Sequence, residues 1–173
     1  MFGNYGPCLC RFSSEPSYRT LTVKKTLMTC AILAAGASAT PAWASDCAIT
    51  IEGNDQMQFN IKNVEVPKAC AKYTMTLKHT GKMPKSSMGH NIVLTSTADA
   101  NAAAADGMKA GAGSDYVKAG DSRVIGFSKV IGGGETTAFT FDVAQLKPGT
   151  EYTYLCSFPG HSFIMRGVLK LGS

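Results

Sequence analysis

Residues 156–165 read CSFPGHSFIM and bring a thiol (Cys156), an imidazole (His161) and a thioether (Met165) onto one short stretch. All three are soft or borderline donors to a transition metal. Pro159 and Gly160 stiffen and sharpen the turn between them, so donors five and nine residues beyond Cys156 can point back to one spot. A fourth donor must come from elsewhere, and His90 in MGHN is the best candidate, placed at the start of another apolar run. Two imidazoles, a thiolate and a weak axial thioether form the donor set of a blue-copper electron-transfer site. Taken singly, His161 reads as a surface or hydrogen-bonded histidine and Met165 as core filler. Their joint placement around one cysteine reverses that reading, because independent coincidences multiply.

The cysteine needs its own account. Residues 1–44 do not resemble the rest of the chain: Lys24 and Lys25 precede the apolar run TLMTCAILAAGASA, and PAWA closes the segment with the small-x-small pattern of a signal-peptidase site. They are expected to form a secretory leader, the run being too short and too rich in small residues for a membrane span. The opening MFGNYGPCLCRFSSEPSYRTLT has no apolar periodicity, and initiation at Val23 would give a compact leader. Thr29 before Cys30 argues against lipidation. Three of the six cysteines fall in this leader, which leaves Cys47, Cys70 and Cys156 in residues 45–173. Pairing Cys47 with Cys70 would close a loop and stabilise the fold by roughly 2 to 4 kcal/mol. Cys156 is then the odd thiol. Outside the cytoplasm a free thiol is oxidised unless it is buried or held by a metal.

The elements that must position these donors are strands. In KYTMTLKHT, Tyr73, Met75, Leu77 and His79 share one face while Thr74, Thr76 and Lys78 share the other, the period of a half-buried strand. Similar runs recur at HNIVLT, TAFTFDV, EYTYLC and MRGVLKL, and turn signals at 53–55, 80–82, 132–135 and 147–150 separate them. Short strands punctuated in this way predict an all-β, Greek-key antiparallel sandwich. The Ala-rich stretch 98–112 is expected to be one short helix inserted on the outside. Without residues 1–44 the charge falls from +5 to +2, with 13 basic and 11 acidic residues left. The remaining lysines are scattered, which argues against nucleic acid as a partner.

On GNDQMQFN, MGHN, DSRVI and CSFPGHSFIM together, the chain resembles the azurins, a family of bacterial cupredoxins, over nearly all of residues 45–173. The 23-residue spacing of Cys47 and Cys70 matches the family's disulfide. The resemblance implies one copper per chain, with His90, Cys156 and His161 as a trigonal plane, Met165 as a distant axial partner and the Gly89 carbonyl on the opposite side. It implies that the backbone amides of Asn91 and Phe158 donate to the Cys156 sulfur, and that Asn91 ties the two ligand loops together. It further implies a periplasmic electron carrier, not an enzyme. Its expected partners are redox proteins such as c-type cytochromes or copper and haem reductases, met through an uncharged patch of Met57, Met83, Met88, Met108, Phe158 and Pro159 around an exposed edge of His161. No stable membrane insertion is expected after processing. One departure is visible: Ile92 stands where the best-known members have a buried tryptophan. His79 is placed near the first ligand loop, either as a satisfied core histidine or as a group coupling protonation to oxidation state. The competing classes are a zinc-binding or copper-holding protein with the same donors, a copper enzyme with an open coordination position, and a metal-free interaction sandwich.

Overall fold

The computed structural model describes residues 46–172, so the leader assigned to residues 1–44 lies outside the described residues. The described residues form eight strands, of which β3, β4, β6, β7 and β8 fall on the alternating runs: β1 (Ala48–Gly53), β2 (Asn63–Val66), β3 (Lys72–His79), β4 (Val93–Ser96), β5 (Val124–Phe127), β6 (Thr136–Asp142), β7 (Glu151–Leu155) and β8 (Arg166–Leu171). They form two sheets, β1-β3-β6 and β2-β8-β7-β4-β5. Most neighbours are antiparallel, as expected, but β1 pairs with β3 and β2 with β8 in parallel, a long-range choice that no local signal in the sequence records.

β3 shows why the chain folds as a sandwich. Tyr73, Met75, Leu77 and His79 are buried and the residues between them are not, so one face of the strand can leave water only by meeting a second sheet. The shared core takes in Ile51, Met75, Leu77, Ile92, Leu94, Tyr154 and Leu169. Fully burying one such aliphatic side chain contributes about 1.5 to 3 kcal/mol. Ile92 is fully buried in this cluster, so an aliphatic side chain occupies that position without exposing it. A disulfide joins Cys47, just before β1, to Cys70, just before β3, with the two Cα atoms 5.6 Å apart.

The Ala-rich segment forms α2 (Ala100–Ala110), and a shorter helix, α1 (Lys85–Met88), precedes the first ligand loop. Ala100, Ala103, Ala104 and Gly107 make the buried face of α2 at helical spacing. Small residues are required there because the backbone of the next loop lies against it. A Cβ on Gly107 would sit 2.2 Å from the Tyr116 carbonyl oxygen. No helix among the described residues is long and apolar enough to cross a membrane.

Candidate metal centre

β7 ends at Leu155, and the chain passes through Cys156 into a tight turn in which the His161 amide donates to the Phe158 carbonyl at 3.0 Å. Pro159 follows Phe158, and Gly160 takes φ +84°, the arrangement of a turn with proline second and a left-handed residue third. A helical turn then carries the chain to Met165, whose amide donates to the His161 carbonyl at 2.8 Å while its carbonyl accepts from the Cys156 amide at 2.9 Å. The loop is therefore closed on itself by its own backbone hydrogen bonds. His90 enters from the other side, held by paired backbone hydrogen bonds with Ile131 of 3.0 and 2.8 Å.

Among the described residues, His90, Cys156 and His161 are the cluster of metal-capable side chains, with one donor atom from each lying within 4.8 Å of the others. The Cys156 Sγ is 3.9 Å from His90 Nδ1 and 3.6 Å from His161 Nδ1. With bond lengths of about 2.3 Å to sulfur and about 2.0 Å to nitrogen, donors spaced 120° apart around one ion would be about 3.7 Å apart. Both sulfur–nitrogen distances are of that size. His90 Nε2 donates to the Asn54 carbonyl at 2.9 Å, which leaves the Nδ1 lone pair facing inward. The Gly89 carbonyl oxygen lies 3.0 Å from that nitrogen and 3.8 Å from Cys156 Sγ. Two acceptors facing one another in this way suit a cation. Only glycine fits at position 89, since a Cβ there would stand 2.6 Å from the Lys85 carbonyl and 2.8 Å from the Phe158 ring.

The electrostatics suit a cation as well. Burial pushes the Cys156 thiol up to about 12, opposed by hydrogen bonds from the backbone amides of Asn91 and Phe158. Burial, with the neighbouring His90 and His79 rings adding to it, pulls His161 down to about 4. Burial also lowers His90, against its hydrogen bond to Asn54. At neutral pH both rings are neutral donors, and the thiol gives up its proton only to an ion that replaces the charge.

Asn91 connects the two ligand loops. Its Oδ1 accepts from the Ser157 amide at 2.9 Å, and its Nδ2 donates to the Ser157 hydroxyl and the Asp115 carbonyl, both at 2.8 Å. Asp115 in turn accepts the Val130 amide at 2.8 Å. Asp115, a left-handed residue far from the ligands in sequence, was not singled out by any motif. His79 is fully buried and stacks on His90 with ring centres 4.2 Å apart. Its Nε2 meets the Met88 carbonyl at 2.9 Å and its Nδ1 the Gly81 amide at 3.0 Å, so both ring nitrogens have partners.

Two expectations about the surface need correction. His161 is only 3% exposed, because Phe158 packs against it at 4.8 Å between ring centres. Of the predicted patch, Met83, Met108 and Pro159 are exposed, whereas Met57, Met88 and Phe158 are half-buried. The most exposed large apolar side chains are Phe163 at 76% and Ile164 at 57%, immediately beyond His161. Their signal was two consecutive apolar residues inside the ligand loop, where the closed turn leaves no inward direction for them.

A two-sheet sandwich whose end closes over a buried N₂S triangle defines a cupredoxin, a fold built around a single copper ion. Residues 45–172 match the family described as copper binding proteins, plastocyanin/azurin family. An azurin of Alcaligenes faecalis is 58% identical over 127 residues, covering 73% of this chain and 99% of that protein. An azurin of Bordetella pertussis is 54% identical over 131 residues, covering 76% of this chain and 87% of that protein. Among solved structures, an azurin (Az-iso2) from Methylomonas sp. strain J superposes with a TM-score of 0.72 at 44% identity, covering 75% of this chain and 100% of that one. The chain belongs to the plastocyanin/azurin family of copper-binding proteins. It is a blue copper protein with copper as its cofactor, and the His90–Cys156–His161 cluster could hold one such ion.

Proposed function

We propose that the protein shuttles single electrons between periplasmic redox proteins, such as c-type cytochromes or copper and haem reductases. In this reading residues 1–44 are the leader that exports it. His90, Cys156 and His161 would hold the copper as its nearest donors, with the Met165 thioether and the Gly89 carbonyl as more distant ones. Copper would supply a one-electron couple between Cu(I) and Cu(II). The chain's part is to keep the donors still: the turn at 158–161, the His90–Asn54 bond and the Asn91 bridge hold the segments that carry all three. Rigid donors and a water-poor pocket limit the rearrangement that accompanies each electron. The observation that carries the reading is the fit of this buried triangle to one ion.

An enzyme needs an open position for substrate, and a site with His90, Cys156 and Met165 fully buried and His161 nearly so gives a substrate no approach. Phe163 and Ile164 extend the uncharged patch beside His161, which suits brief docking. Cu(II) added to the reduced, metal-free protein should produce an intense visible thiolate-to-copper band at one equivalent and a reversible one-electron wave. Colourless native protein carrying zinc, with no such wave after copper loading, would favour the metal-holding alternative. Phe163→Asp should slow electron exchange with a cytochrome while leaving the visible band unchanged.

A further inference from the structure

We propose that Gly53 is a positioning residue for Met165, its missing side chain setting where the thioether rests. The inference builds on the reading of Met165 as an axial partner. Gly53 is the last residue of β1, buried and in register with His79 of β3. Its backbone is not in the left-handed region, so its conformation is open to any residue. Glycine at such a position gives up more conformational freedom on folding than alanine would. Space is what demands it: a Cβ on Gly53 would stand 2.8 Å from the Met165 Cε and 3.0 Å from the His90 Cδ2.

Those two neighbours yield unequally. The His90 ring is held by its bond to Asn54, by stacking on His79 and by the backbone bridge to Ile131. The Met165 backbone is equally pinned, through His161 and Cys156, but its terminal torsions are free to turn. A methyl group at position 53 therefore displaces the Met165 methyl: turning it about the Cγ–Sδ bond re-aims the sulfur lone pairs, and turning one bond further back moves the sulfur itself. The axial thioether tunes the reduction potential of such a site. Gly53 would thus act on copper through a side chain that it does not itself supply.

The test is a cycle of four copper-loaded proteins: the unaltered chain, Gly53→Ala, Met165→Ala and the double variant, compared by reduction potential and by the ratio of their visible bands. The expected result is a shift of both readouts in Gly53→Ala that disappears in the Met165→Ala background, where the methyl it would strike is gone. An equal shift in both backgrounds would mean that residue 53 acts through His90, and the proposal fails. It fails also if Gly53→Ala alone changes nothing while Met165→Ala shifts both readouts, an outcome that leaves the axial reading intact. If Met165→Ala shifts neither, both ideas fall together. Should Gly53→Ala fail to fold or load copper, recovery in the double variant supports the proposal and continued failure overturns it.

Discussion

The copper end of the sandwich and the flank where α2 is attached both gather polar side chains, under opposite physical conditions. At the copper end, His79, His90, Asn91 and Ser157 are buried, and the hydrogen bonds they make fix one arrangement. On the flank, Asp106 in α2 pairs with the solvent-exposed Lys109 and with the part-exposed Arg123 guanidinium, which also reaches the largely covered Asp121 beside β5. Both carboxyls are held below the usual range by Arg123, Asp121 at about 2. An exposed pair contributes about 0 to 1 kcal/mol, whereas stranding a buried polar group costs about 1 to 3. The comparison teaches that the site's geometry is guarded by buried polar groups, while the flank tolerates change.

The contrast breaks most completely at the sulfur. Cys156→Ala should abolish the visible band and lower copper affinity by orders of magnitude, while the metal-free protein unfolds at a temperature close to that of the unaltered chain, since a buried thiol is exchanged for a methyl. In the unaltered protein, calorimetry in buffers of different ionisation heat should find about one proton released per Cu(II) at neutral pH, because the thiol is protonated and both imidazoles are not.

Asn91→Ala comes next. It strands the Ser157 amide and the Asp115 carbonyl, and denaturant unfolding of the metal-free protein should record a loss of about 2 to 4 kcal/mol together with a changed visible spectrum. If the loss were under 0.5 kcal/mol, roughly the cost of an ordinary surface change, the buried polar groups would not be the guard argued here.

Acid should act through His161. Its folded pKa of about 4 lies below the ordinary value of 6.5, so the unfolded chain takes up a proton that the folded ring refuses. Stability of the metal-free protein is therefore full above about pH 6.5 and is lost as pH falls toward 4, by on the order of 2 to 3 kcal/mol. Urea unfolding at a series of pH values, compared with a His161→Gln variant, would show whether the slope belongs to this ring. The smallest effect belongs to the flank: Lys109→Ala removes the exposed pair with Asp106, should cost less than about 1 kcal/mol and should leave the copper spectrum untouched.

The ligand loop was legible because its information is local. Cys156, His161 and Met165 lie in one turn, and Pro159 and Gly160 announce that turn by their own torsional limits. β3 was legible for the same reason, its alternation being a property of neighbouring residues. β5, which no alternating run foretold, has partly buried residues at most of its positions because it lies at a sheet edge. The helix α1 is too short to leave a periodic signal.

By itself, then, the sequence determined the kinds of donor, the turn that groups three of them and the period that makes a sandwich, since each follows from torsions and side-chain direction within a few residues. Only the tertiary structure decided that His90 meets Cys156 across 66 residues, that Asp115 braces Asn91, that His161 is covered while Phe163 is bare, and that Gly53 lies against the Met165 methyl. Those facts depend on which strands lie side by side and how closely, and distances between segments remote in sequence arise only when the sheets pack.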